Sequence, residues 1–136
     1  MIRRTLRIGR WLVYFVFVTD DYDREAILSM LDAFGAPDEV LALAEDIMSS
    51  GYLNNGFTYS NAEVRRALVV TGPTSSGKEF LNSFSHEIRH LADGIANSIG
   101  FQLGSEGPAY MTGDTVMELA EVVCELGCER CRGEMS

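Results

Sequence analysis

His86-Glu87-Ile88-Arg89-His90 places the chain's two histidines four residues apart, with a glutamate directly after the first. On a helix that spacing stacks both imidazoles on one face, about 6 Å apart along the axis, close enough to hold one ion. Divalent zinc suits such a pair, because imidazole nitrogens bind it and it lowers the pKa of bound water towards neutrality. The adjoining glutamate can then stand beside that water as its general base. The plainer alternative is a polar helix face that produces the same letters without an ion. There is no third histidine in the chain, so a general surplus of the residue does not explain the pair.

Two histidines leave a zinc site incomplete, and a carboxylate commonly supplies the third protein ligand with water in the fourth position. Glu106 opens the next helical segment, sixteen residues after His90. Nine residues of helix carry the chain about 14 Å away from His90. A six-residue bend can return up to about 20 Å, so Glu106 can lie level with His90 on an antiparallel neighbour. Tyr110 follows one turn later, where its phenol could bind a ligand carboxylate or a developing oxyanion. The alternatives are a favourable first-turn charge for Glu106 and interhelix packing for Tyr110. Asp93 shares the histidine face at i+7 from His86, but an aspartate on a straight helix reaches poorly towards an ion between the rings. It is better placed to orient His90 from behind as a hydrogen-bond acceptor.

Two further motifs could do chemistry. Gly72-Pro73-Thr74-Ser75-Ser76-Gly77-Lys78 matches a phosphate-binding loop except at its end, where Glu79 replaces the Ser or Thr that would hold magnesium. A carboxylate there opposes phosphate binding, and turn and N-cap chemistry accounts for the same residues. Cys124, Cys128 and Cys131 follow a spacing that could hold a second metal with a fourth ligand or form a disulfide. The plainer reading puts Cys124 in the core and leaves Cys128 and Cys131 in a frayed tail.

The elements that must position these residues are legible as one domain over 1–136. Trp11 to Val18 is aromatic and β-branched, which predicts a buried strand. Its short length and the absence of small residues at a cleavage point argue against a secretory signal, and it is too short to cross a bilayer. Asp21–Phe34 and Pro37–Ser50 carry apolar residues at helical spacing, with Gly35 and Gly51 as stops. Phe57–Ser60 and Arg66–Thr71 read as strands paired through Asn61-Ala62-Glu63. Ser76–Ser98 is a long helix bearing the histidines, and a last helix runs from Ser105 to about Cys124. The order predicts an α+β domain, with residues 1–10 as a basic arm and 125–136 as a Cys-containing tail.

The formal net charge is -9, and four arginines precede the first acid, Asp20, leaving seven basic against twenty acidic side chains, a net of -13. So acidic a body repels phosphate backbones, which excludes nucleic-acid binding outside the arm. Without a targeting or membrane segment the expected location is cytoplasmic, with reduced cysteines and no membrane partner.

Taken in order, Gly56-Phe57-Thr58-Tyr59-Ser60, then Glu79-Phe80-Leu81-Asn82-Ser83-Phe84 leading into His86-Glu87-x-x-His90, then Glu106-x-x-Ala109-Tyr110 and Gly113, resemble a family. It is that of small gluzincin-like metallopeptidases of phage and gut-bacterial mobile-element type, and the resemblance covers roughly residues 50 to 120. It implies a minimal zincin-like domain, with a short antiparallel sheet packed on helices and the histidine helix followed by an antiparallel C-terminal helix. It further implies zinc held by His86, His90 and Glu106, with Glu87 as the catalytic carboxylate; Tyr110 as an oxyanion donor rests on its helix position alone. The chain departs from the pattern at the charged Arg89 and at Gly107-Pro108. The expected function is zinc-dependent hydrolysis of a peptide or protein substrate. The alternative from another class is a non-catalytic zinc-containing mobile-element protein that binds a host protein.

Overall fold

The computed structural model describes residues 1–99 and 106–133, apart from the side chains of Ile99 and Glu106. Its architecture is α+β, built on a four-stranded mixed sheet. In chain order the elements are β1 (Ile2–Ile8), β2 (Trp11–Phe17), α1 (Arg24–Ala33), α2 (Asp38–Ser49), β3 (Gly56–Asn61), β4 (Arg66–Thr71), α3 (Gly77–Ile99), α4 (Glu106–Glu118) and α5 (Ala120–Gly127).

The residues expected as a basic arm form β1. Ile2, Leu6 and Ile8 alternate onto one face and pack against the core, while Arg3, Arg4 and Arg7 stay exposed. Ile8 pairs with Trp11, so the hairpin closes through Gly9 and Arg10 alone. Gly9 has φ +58°, the left-handed conformation a two-residue hairpin loop needs at its first central position.

Strand order is β1-β2-β4-β3, with antiparallel outer pairs and a parallel β2·β4 pair at the centre. The parallel pair follows from placing α1 and α2 between β2 and β3, because parallel strands need a long crossover. It also explains why β2 is almost continuously apolar, since both its faces are covered. Trp11, Val13, Phe15 and Phe17 meet Ala67, Val69 and the helix α3 on one side. Val16, Val18, Leu68 and Val70 meet Ile27, Leu31, Ala44 and Met48 of α1 and α2 on the other.

Helix α3 positions the histidines. Phe80, Phe84, Ile88, Leu91 and Ile95 recur every three or four residues and are all buried against the sheet. Each such side chain contributes about 1.5–3 kcal/mol on burial, which fixes the helix's rotation and hence which residues face out. Ser76 caps its start, its Oγ accepting from Glu79 N–H at 3.1 Å.

Three amides between Gly72 and Lys78 are already committed. Gly72 N–H donates to Asn55 O (2.8 Å), Ser75 N–H to Asn54 Oδ1 (2.9 Å) and Lys78 N–H to Glu129 Oε1 (3.2 Å). These are donors a phosphate would need, so the segment acts as a turn and helix cap.

The last helix is interrupted at Leu119, giving α4 and α5, and residues 128–133 after α5 are docked rather than frayed. Arg132 donates to Thr74 Oγ1 (3.1 Å), Thr74 O (3.0 Å) and Leu126 O (3.0 Å). Gly77 permits this docking, because a Cβ there would lie 2.4 Å from Gly127 O. Among the described residues no helix is long and apolar enough to cross a membrane.

Candidate metal centre

Strand β3 and helix α3 frame the histidines. On β3, Phe57 and Tyr59 turn towards the α1/α2 side of the sheet. Gly56, Thr58 and Ser60 therefore face α3, and their small size lets the helix come close. A Cβ on Gly56 would meet Val70 O at 2.4 Å and Glu87 Cγ at 3.3 Å. Further along, a Cβ on Gly94 of α3 would lie 2.7 Å from Ser60 Oγ. Two glycines, one on each element, thus set the spacing of the site.

His86 and His90 are exposed on the rim of this seam, with their rings nearly perpendicular (82°) and centroids 4.7 Å apart. Their Nε2 atoms converge to 3.1 Å. At that distance an Nε2–H on one ring can donate to the Nε2 lone pair of the other, the roles depending on which ring carries the proton there. Two nitrogens each about 2.05 Å from a tetrahedral zinc would lie about 3.3 Å apart, so the observed separation fits a shared ion after a shift of a few tenths of an ångström.

Glu87 lies between the histidines and β3 and is only 4% exposed. Its Oε1 accepts from Thr58 Oγ1 at 2.9 Å, and the same hydroxyl also lies 3.2 Å from the backbone oxygen of Glu87. The hydroxyl has one proton, so it donates to one acceptor at a time. Its hydrogen bond to Oε1 is charge-assisted and fixes the carboxylate's orientation. Oε2 borders Gly56. A cleft of about 370 Å³ is lined by Gly56, Thr58, Ser60, His86, Glu87 and His90. A second, of about 260 Å³, reaches Asn54 and Asn82. Both border β3, an edge strand of the sheet, and share Gly56, His86 and Glu87.

The other expected site residues are placed differently. Both Asp93 oxygens accept from Arg89 Nε at 2.9 Å, so that carboxylate is engaged with Arg89 rather than with His90. Tyr110 is 67% exposed on α4 and lines neither cleft. Glu106 begins α4, but its side chain, and therefore its assignment as a ligand, lies outside the described residues. Among the described residues no three His, Cys, Asp or Glu side chains form a metal-binding group, so the histidines stand there as a pair.

Thr58 and Gly56 have no role that the sequence alone assigns. Their signal is the alternation of Gly, Thr and Ser with aromatic residues along β3, a small polar face that marks close approach by another element.

Compared with protein-family models, with curated proteins and with solved structures, the chain gives no significant match.

Proposed function

We propose that the chain is a zinc-dependent hydrolase acting on peptide bonds, with His86 and His90 as metal ligands, Glu106 as the third and Glu87 as the general base. The observation that carries this reading is the convergence of the two Nε2 atoms at 3.1 Å in a cleft that the buried Glu87 also lines. Zinc bound there would supply a water of lowered pKa and polarise a scissile carbonyl. Glu87 accepts the water's proton and returns it to the departing amine, a role that needs a carboxylate held at a fixed angle. Thr58 supplies that restraint at Oε1, leaving Oε2 free of side-chain donors among the described residues. Tyr110 serves this reading only by turning towards the cleft when substrate is bound.

The burial of Glu87 and its hydrogen bond to Thr58 also favour a second reading, in which the carboxylate ties α3 to β3 and the metal serves binding alone. Glu87→Gln separates the two. It preserves shape and the Thr58 contact while removing the base, so a hydrolase loses about 10²–10⁴-fold in kcat and keeps its zinc. Peptide cleavage at the wild-type rate by Glu87→Gln would rule out the hydrolytic role of this residue.

A further inference from the structure

Away from the histidines, the chain's three cysteines meet at the end of α5. Cys128 is both the last residue of that helix's cap and the first of a new turn. Its backbone is extended (φ -94°, ψ 119°), its N–H reaches Cys124 O at 3.1 Å, and its carbonyl accepts from Arg132 N–H at 3.0 Å. In that turn Cys128 and Cys131 are neighbours, and the backbone N–H groups of Cys131 and Arg130, with the Cys131 thiol, lie where they favour a negative sulfur at Cys128. Cys131 lies within electrostatic reach of both Cys128 and Cys124.

A turn brings residues three apart to under about 7 Å between Cα atoms, and disulfides span about 4.4–6.8 Å. The pair can therefore close without refolding the segment. Nor is the turn loose. Glu129 holds Lys78 N–H at 3.2 Å and Arg132 holds Thr74, so both ends are anchored to the start of α3. Cys124 and Cys131 are exposed and Cys128 is half-buried, so all three are open to small thiol reagents.

We propose that Cys128 and Cys131 form a redox-active dithiol that reduces low-molecular-weight disulfides, with Cys128 as the attacking thiol and Cys131 as the resolving one. The Cys128 thiolate attacks one sulfur of the external disulfide, forming a mixed disulfide and releasing one thiolate. Cys131, losing its proton to solvent, then attacks the Cys128 sulfur, and the Cys128–Cys131 bond forms as the second thiolate leaves. Two electrons pass from the protein to the external disulfide, and the two protons given up by the cysteines end on the two released thiols.

Local donors favour Cys128 as the attacking thiol. The backbone N–H of Cys131, followed by its thiol and the N–H of Arg130, stabilises a negative sulfur at Cys128 and lowers its pKa. The Cys131 thiol is pushed up to about 11, chiefly by its hydrogen bond to Cys128.

The sequence allows a direct test. Glu121, Glu125, Glu129 and Glu134 separate the three cysteines, so a glutamate-specific protease releases each on its own peptide. Full-length reduced protein is treated with glutathione disulfide, blocked with an alkylating agent, digested and weighed. The expected product joins Leu126–Glu129 to Arg130–Glu134, with two molecules of glutathione released per disulfide formed. It persists in Cys124→Ser and is lost in Cys128→Ser. In Cys131→Ser, whose exposed side chain leaves the fold intact, glutathione accumulates on Cys128. A dominant link through Val122–Glu125, glutathione retained on Cys124 in Cys131→Ser, or mixed disulfides without ring closure in the wild type would each overturn the proposal.

Discussion

Removing the Thr58 hydroxyl tests how the base is held. Thr58→Val keeps the side chain's shape but removes the donor 2.9 Å from Glu87 Oε1. Glu87 is 4% exposed, so water replaces that donor poorly. A hydrogen bond to a charged group contributes about 1.5–3 kcal/mol, and a neutral one about 0.5–1.5 kcal/mol. Thr58→Val should therefore destabilise the wild type by about 1.5–3 kcal/mol, and the Glu87→Gln background by roughly 1 kcal/mol less. Urea denaturation of the four proteins of this double-mutant cycle measures the difference, with unchanged m-values confirming that the same surface is exposed on unfolding. A coupling below about 0.3 kcal/mol, inside the usual additivity error, would mean that Thr58 does not restrain an ionised carboxylate.

Three other outcomes follow from the same geometry. Gly56→Ala should cost about 1–3 kcal/mol in denaturant unfolding, because its Cβ would press on the backbone oxygen Val70 O, whereas Gly94→Ala meets only the rotatable Ser60 hydroxyl and should cost less. Alkylation followed by peptide mass should show Cys128 reacting at least ~tenfold faster than Cys131 at pH 7. Since the Cys128 pKa is lowered and that of Cys131 raised to about 11, the gap should close only as pH climbs towards that value. Glu106→Ala should weaken zinc binding measured by competition with a chromophoric chelator far more than Asp93→Ala, whose carboxylate is occupied by Arg89.

How far the fold was legible depended on the strength of each local pattern. The five-residue apolar stripe from Phe80 to Ile95 fixed α3 almost to its ends, Ser76–Ser98 against the observed Gly77–Ile99. The apolar run of β2 marked a strand covered on both faces. Strand β1 was hidden because Arg4 breaks the alternation of Ile2, Leu6 and Ile8, and its stability comes from pairing with β2 rather than from its own pattern. The break at Leu119 carries no Gly or Pro to announce it. At the site, the spacing of His86 and His90 follows directly from helix periodicity. The Thr58–Glu87 bond depends on how β3 and α3 register across the sheet, a tertiary relation that no local spacing encodes. Cys124, expected in the core, is exposed, because the apolar positions of α5 fall instead on Val122 and Val123.

Metal stoichiometry is the most direct measurement of the central proposal. Purified full-length protein, loaded with zinc and freed of excess, should carry one zinc per chain by elemental analysis. The His86→Ala/His90→Ala variant should carry none while keeping the wild-type circular dichroism spectrum, because both side chains are exposed. Undiminished zinc in that variant, or no zinc in the wild type, would contradict the assignment of the two histidines as a metal centre.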